Sequence, residues 1–408
     1  MKIAIVTHAV RHNDGQGRVN FEVAIAALAQ GCEVTLVASQ VSPALLADPR
    51  VRWVPIRIAR AWPTNLLRHQ LFAIKSAAWL RKHHREYDVL HVNGFISWVR
   101  ADVNTAHFVH SGWMSSPYYP YALTRGPRSA YQYVYTRVNA WLERWAYRRS
   151  LVVAAVSEKV ADELRETGVT AEKIEVVHNG VDTRAFAEAS GTRSAFGLAD
   201  DAFLLLFAGD LRTPRKNLGT VLRALPRLPP HVHVVVAGKV KGSPYPDEAH
   251  ALGVAGRVHF LDFVENVPAL MHCVDAYVFP SRYEAMSLSL LEAMAAGLPV
   301  VTARTAGGAE IIDPECGIVL DDPDDADALA GAVGRLAGDE RLRCTMGAAA
   351  SRVAQRFRWE RMGAQYMEIY RRVVRFKADQ VDRKSGHAVG ERVGSTDRWM
   401  QIEGGETE

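Results

Sequence analysis

No stretch of this chain reaches the ~18 uninterrupted apolar residues that a membrane-crossing helix needs. The opening MKIAIVTHAV runs straight into a strand-like segment, without the charged lead, apolar core and cleavage site of a secretory leader. The protein is therefore expected neither to span a membrane nor to be exported. Cysteine is scarce: Cys32, Cys273, Cys316 and Cys344 stand far apart with no C-x-x-C spacing. Neither a zinc site nor a disulfide framework is indicated, and a reducing cytoplasm fits. Charge of one sign is also in short supply. A net +4 on 408 residues argues against nucleic acid unless a clustered patch and a binding motif accompany it. The glycine fingerprint of dinucleotide-binding proteins is missing, because NDGQG at 13–17 is followed by Asn20 where the third glycine belongs. The second apolar run ends in Ala38-Ser39-Gln40, with no acid for a ribose, so an NAD-dependent oxidoreductase is disfavoured. The one D-x-D text, Asp325-Ala326-Asp327, sits in an acidic turn before a helix, where aspartate caps and complements the dipole. No metal and no other cofactor are expected.

What is present is an ordinary globular composition, 48% hydrophobic and 23% charged, at a length that favours about two domains. Lys2 to Thr7 is an apolar run, followed by a polar loop with Gly15 and Gly17, a helical pattern from Asn20 to Gln30, and a second run from Glu33 to Ala38. That is a βαβ unit. Strand-like runs recur at 51–58, 88–92, 151–156 and 174–178; after a looser stretch following Asp182 they begin again at 202–208, 232–237, 258–261, 276–279 and 299–302. Strands alternating with helices predict parallel sheets covered on both faces. The expected organisation is α/β. An N-terminal Rossmann-like domain covers 1–185 and a C-terminal one 186–359, with a helix over 360–377 and a disordered tail over 378–408. Ligands of such sheets lie beyond the carboxyl ends of the strands, here in the cleft between the halves.

Two clusters carry the chemistry. In FPSRYEAMSLSLLEAMAAGLPVV, residues 279–301, a strand ends, a loop carries Glu284, and a helix over 287–296 carries Glu292. Eight residues separate the two carboxylates by about 12 Å along a helix and about 80° around it. The N–H groups of Ala285, Met286, Ser287 and Leu288 lie at the helix start, where unpaired amides suit phosphate oxygens. A hydroxyl-rich sugar, a pyrophosphate and a hydroxyl-rich ribose match acid, amides and acid in that order. In FAGDLRTPRKNLGTVL, residues 207–222, a strand ends at Gly209 and one loop collects Arg212, Arg215 and Lys216. A diphosphate leaving group needs such cations.

The E-x7-E text resembles the signature of the retaining, GT-B-fold glycosyltransferases of the large family 4, group 1 type. The resemblance covers residues 1 to about 375. It implies two facing Rossmann-like domains, an acceptor half and a donor half, with the C-terminal helix crossing back. It further implies Glu292 on the ribose, Glu284 beside the transferred sugar, and Arg215 and Lys216 on the diphosphate. Arg212 and Gly209 border the same site. ADVNTAHFVHSGW, residues 101–113, resembles the family segment whose histidine lies over the donor sugar; His107 is the better match and His110 the runner-up. The Gly15 and Gly17 loop matches a phosphate or acceptor loop only loosely. Asn179-Gly180 reads as a turn. Glu310, in TAGGAEII, either binds donor or caps the helix after it.

The resemblance implies a nucleotide-sugar co-substrate, UDP- or GDP-linked, same-face transfer without a covalent adduct, and a glycan, lipid-linked or small-molecule acceptor. The segments 57–85 and 118–149 mix Trp, Tyr and Leu with Arg, Lys and His. Such text suits either reversible contact with an anionic bilayer or ordinary helices with snorkelling side chains. A nucleotide-sugar epimerase of the same architecture is the alternative, although its expected acid/base carboxylates are not evident.

Overall fold

The computed structural model describes residues 1–12, 15–59, 64–123 and 126–386. Seven strands form the first sheet: β1 (Lys2–Val10), β2 (Glu33–Val41), β3 (Val51–Pro55), β4 (Val89–Asn93), β5 (Val103–Ala106), β6 (Val152–Ala155) and β7 (Ile174–Val176). Six form the second: β8 (Phe203–Ala208), β9 (Val232–Ala237), β10 (Val258–Asp262), β11 (Ala276–Phe279), β12 (Val300–Ala303) and β13 (Gly317–Leu320). All pairings are parallel, in the orders β3-β2-β1-β4-β5-β6-β7 and β10-β9-β8-β11-β12-β13. Strands buried on both faces read as unbroken apolar runs; Ile3 to Val6 and Leu204 to Phe207 have no exposed surface. β13, four residues opening on a glycine, is a strand that the apolar pattern did not anticipate.

The helices that concern the site are α1 (Gly15–Ala29), α2 (Asn65–His83), α3 (His110–Ser115), α4 (Pro127–Arg149), α5 (Glu158–Glu166), α6 (Leu218–Ala224), α7 (Leu288–Ala295) and α8 (Trp359–Gly386). α1 starts five residues before the expected Asn20. The side-chain amide of Asn20 donates to the Gln16 carbonyl one turn back, 2.9 Å away, so Gly15 and Gly17 belong to the first helical turn instead of a loop. Residues 13 and 14 of that expected loop lie outside the described residues.

α8 returns to the first sheet. Tyr370 meets His91 Nδ1 at 2.7 Å and Tyr366 meets Thr105 Oγ1 at 2.9 Å. A Cβ on Gly363 would lie 2.5 Å from Ala26 of α1, so only glycine allows this crossing. The helix continues to Gly386, past the expected end at 377; of the expected tail, 387–408 lie outside the described residues. The chain passes between the halves twice, and the passages touch: Val181 N donates to Phe357 O at 2.7 Å, and Gly180 leaves room for Trp359.

The strand order reverses between β1 and β4 in the first sheet and between β8 and β11 in the second. The loops after these pairs form the crevice in which an open α/β sheet takes its ligand.

Candidate functional site

The loop after β8 and the loop after β11 leave neighbouring strands and are stitched together. Asn217 has φ 65°, a left-handed backbone that asparagine tolerates. Its buried amide donates to Pro280 O at 3.0 Å and Pro323 O at 2.7 Å, and accepts from Thr220 at 3.0 Å. Arg282 N donates to Arg215 O at 2.9 Å, and Arg215 Nη1 donates to Tyr283 O at 3.1 Å. This frame sets the Lys216 ammonium on Glu284 Oε2, with Arg215 Nη1 at 3.6 Å from the same oxygen. Burial alone would raise the Glu284 carboxyl, but the charges of Lys216 and Arg215 outweigh it and hold the pKa below its ordinary value. The site is thus two cations around one ionised acid.

Ser287 caps α7 by accepting from Leu290 N at 3.3 Å, so the helix is one residue shorter at each end than expected. The first half of the chain grips this turn: Ser157 Oγ donates to Ala285 O at 2.7 Å and Asn179 Nδ2 to Met286 O at 3.4 Å. Ala285, Met286 and Ser287 are buried, and Leu288 opens the helix. One turn on, the Glu292 carboxyl has no hydrogen-bond or ion-pair partner among the described residues. Burial pushes its pKa up to about 7, against the opposing charge of Arg18 on α1. Burial, with Glu292 and Glu284 nearby, pushes up the pKa of the Tyr277 hydroxyl, which is hydrogen-bonded to Ser289 at 2.7 Å. A half-buried carboxyl without side-chain partners has hydrogen-bonding capacity left over.

Gly307 fixes the height of the turn. Its N–H donates to Glu284 O at 2.8 Å, and a Cβ there would lie 1.6 Å from Ala285 O. The glycine makes room for the Glu284 turn itself. Gly307→Ala is expected to displace 284–287 and destabilise the protein by at least the ~1–3 kcal/mol typical of overpacking; thermal unfolding checks it, and an unchanged melting temperature would contradict it.

The remaining expected residues make other contacts. Arg212 folds back on Asp210, at 2.9 and 3.0 Å, with its side chain half exposed. A Cβ on Gly209 would make ordinary contact with Lys216 at 3.6 Å; the steric demand falls on Gly238, where a Cβ would lie 2.1 Å from Gly209 O. Glu310 does not cap the helix after it. It accepts from Glu158 N at 2.7 Å at the start of α5 and from His178 Nε2 at 3.0 Å, bridging the two halves. Asp325 accepts from Ala328 N at 2.8 Å as a helix cap. Among the described residues no group of three or more His, Cys, Asp or Glu is placed to hold a metal.

Across the cleft, His107 follows β5. Asn20 Nδ2 donates to Gln16 O, and Asn93 Nδ2 donates to Val6 O at 3.2 Å and Asn20 Oδ1 at 2.9 Å. Carbonyl oxygens only accept, so both amide orientations are fixed and Asn93 Oδ1 faces His107 Nε2 at 2.9 Å. Nε2 therefore carries the proton and Nδ1 a lone pair. Burial lowers the His107 pKa to about 4, so the ring is neutral near pH 7. The next residue, Phe108, packs edge-on against Tyr283 and lies under Arg215. His110, the runner-up, is bound by its own N–H and by Nδ1 to Glu143, at 3.0 and 2.7 Å. Asn20, Asn93, Asn217 and Ser157 were not singled out for these contacts; their one signal is a polar residue among buried apolar neighbours.

A family model described as Glycosyltransferase Family 4 matches residues 13–185 and one described as Glycosyl transferases group 1 matches residues 202–339. A D-inositol 3-phosphate glycosyltransferase of Streptomyces bingchenggensis is 30% identical over 325 residues, covering 73% of this chain and 69% of its own. One of Xylanimonas cellulosilytica is 28% identical over 377 residues, covering 86% and 89%. Among solved structures, sucrose-phosphate synthase from Thermosynechococcus elongatus superposes with a TM-score of 0.76 at 20% identity, covering 92% of this chain and 99% of its own. Anabaena Alr3699/HepE, solved in complex with UDP-glucose, gives 0.68 at 21% identity, covering 90% and 98%. The structural likeness establishes the GT-B fold.

Proposed function

This chain belongs to the family 4, group 1 glycosyltransferases, and from that premise we propose that it moves a sugar from a nucleoside-diphosphate donor to an acceptor hydroxyl with retention at the anomeric carbon. The observation that carries the proposal is the meeting of Lys216 and Arg215 with Glu284 at the β8/β11 crevice. In this reading the diphosphate takes the place of Glu284 as the partner of the cations, and the sugar lies between Glu284 and the Nδ1 side of His107. Glu292 binds the ribose hydroxyls. The bond from C1 to the diphosphate oxygen breaks while the acceptor oxygen bonds C1 on the same face. The acceptor proton passes to the departing phosphate oxygen, whose charge the cations and α7 amides stabilise. Those cations suffice for neutralisation, so neither metal nor other cofactor belongs to the proposal. Arg212, turned onto Asp210, is assigned no step.

The donor base is that of UDP or GDP, and the acceptor is a glycan, a lipid-linked sugar or a small molecule, with the reaction in the cytoplasm. Family membership leaves the epimerase alternative without support. Incubation with UDP-, GDP- and ADP-sugars, with and without acceptor, tests the reading: acceptor-dependent nucleotide release is expected, whereas interconversion of the donor without release would refute it. Glu292→Ala is expected to weaken nucleotide binding by about 1–3 kcal/mol, the cost of leaving buried hydroxyl donors without their acceptor. Calorimetry measures it, and undiminished affinity would remove the ribose role.

A further inference from the structure

Two helices of the first half carry a surface that the donor site does not use. α2 and α4 meet where the Tyr135 hydroxyl and His69 Nδ1 share a hydrogen bond of 3.2 Å. Eight large hydrophobic residues are exposed among those described, and five of them, Leu67, Ile74, Tyr131, Val134 and Trp141, belong to this pair. Trp141 is 63% exposed, Ile74 55% and Val134 54%. Intervals of seven on α2, and of three and seven on α4, put each set on one helical face.

Charge is concentrated on the same elements. α2 and α4 hold nine Lys or Arg and one acid, Glu143, a net +8 within a chain whose total is +4. Glu143 is buried against His110. None of the basic side chains described on these helices makes an ion pair. Lys75 and Arg144 donate to carbonyls, Arg137 to a tyrosine hydroxyl, and Arg149 lies over Trp145. Cations left without carboxylates beside exposed Trp, Tyr and aliphatic side chains suit an interface that is anionic at its surface and apolar beneath. A nucleic acid would match the charge but not the exposed apolar side chains, and a second copy of the chain would bring like charge to like.

We infer that the outer face of α2 and α4 docks reversibly on an anionic lipid bilayer. The docking is peripheral, since no helix among the described residues is long and apolar enough to cross a membrane. The consequence for the acceptor rests on the glycosyltransferase reading: a first half resting on lipid suits an acceptor carried at the bilayer surface. The docking itself does not depend on that reading.

Co-sedimentation of the full chain with vesicles tests it. Binding is expected to phosphatidylcholine vesicles containing about a third phosphatidylglycerol, to be weak on phosphatidylcholine alone, and to fall as salt shortens the Debye length below ~10 Å. Val134→Glu with Trp141→Glu, and separately Lys82→Glu with Arg148→Glu, should each cut partitioning by about tenfold or more while leaving the melting temperature and donor hydrolysis unchanged. Equal binding to both vesicle types, variants that bind as the parent does, or preferential binding to an RNA oligonucleotide through the same residues would overturn the inference. Vesicle binding by a protein that turns over no nucleotide sugar supports the surface and counts against the reaction.

Discussion

Replacing Lys216 by alanine is expected to lower turnover by roughly 10²–10³-fold, the loss seen when one positioned donor to developing charge is removed. Its ammonium touches Glu284 and lies over the Phe279 ring, so the charge is held in place before any ligand arrives. Arg215, 3.6 Å from the same carboxylate oxygen, cannot fully replace it, because its guanidinium is also committed to the Tyr283 carbonyl. The variant leaves Glu284 buried with one cation instead of two, so its carboxyl pKa should move upward as well. Rate under saturating donor, measured beside thermal unfolding, separates chemistry from folding. Wild-type turnover in a folded Lys216→Ala protein would remove the residue from the site.

The second large effect is on acid stability. His91 has essentially no exposed surface, and burial with the nearby His107 lowers its pKa to about 3; His8 and His107 are lowered to about 4, chiefly by burial. Imidazole in the unfolded chain titrates near 6.5. Between those values the unfolded chain binds protons that the native protein does not, so stability is full above pH 6.5 and is lost as pH falls. His91 alone amounts to roughly 3 kcal/mol between pH 6.5 and 4. The expected result is a melting temperature that drops steeply over this window, with proton uptake on unfolding. Glu292 acts in the opposite direction, because its folded pKa, about 7, lies above the ordinary carboxyl value of 4.5. The native protein then holds a proton that the unfolded chain has lost. Glu292→Gln should therefore increase proton uptake near pH 5.5 by about one and steepen the acid loss. A flat melting temperature from pH 7 to 4 would contradict the neutral, buried state of these histidines.

Much of this site was readable in advance because its chemistry is carried by residue type at short spacing. Arg215 and Lys216 adjoin, Glu284 and Glu292 share one strand-loop-helix passage, and a βα unit presents each at a strand's carboxyl end. Residues whose meaning depends on distant partners were not readable. Asn217 is fixed by carbonyls 63 and 106 residues further along, and Asn93 by Asn20, 73 residues earlier. Glu310 looked like a cap for its own neighbourhood but caps a helix about 150 residues upstream. Gly15 and Gly17 read as loop because glycine disfavours helix. The contacts of Asn20, to the Gln16 carbonyl and across to β4, put them in a helix all the same. Arg212 matched by position alone; Asp210, two residues before it, claims its guanidinium.

Titration of the 408-residue chain with UDP, GDP and ADP in a calorimeter tests the central claim most directly. The account predicts saturable binding of at least one of them, weakened in both Lys216→Ala and Glu292→Ala. Absence of binding to all three, or binding that neither substitution alters, would contradict it.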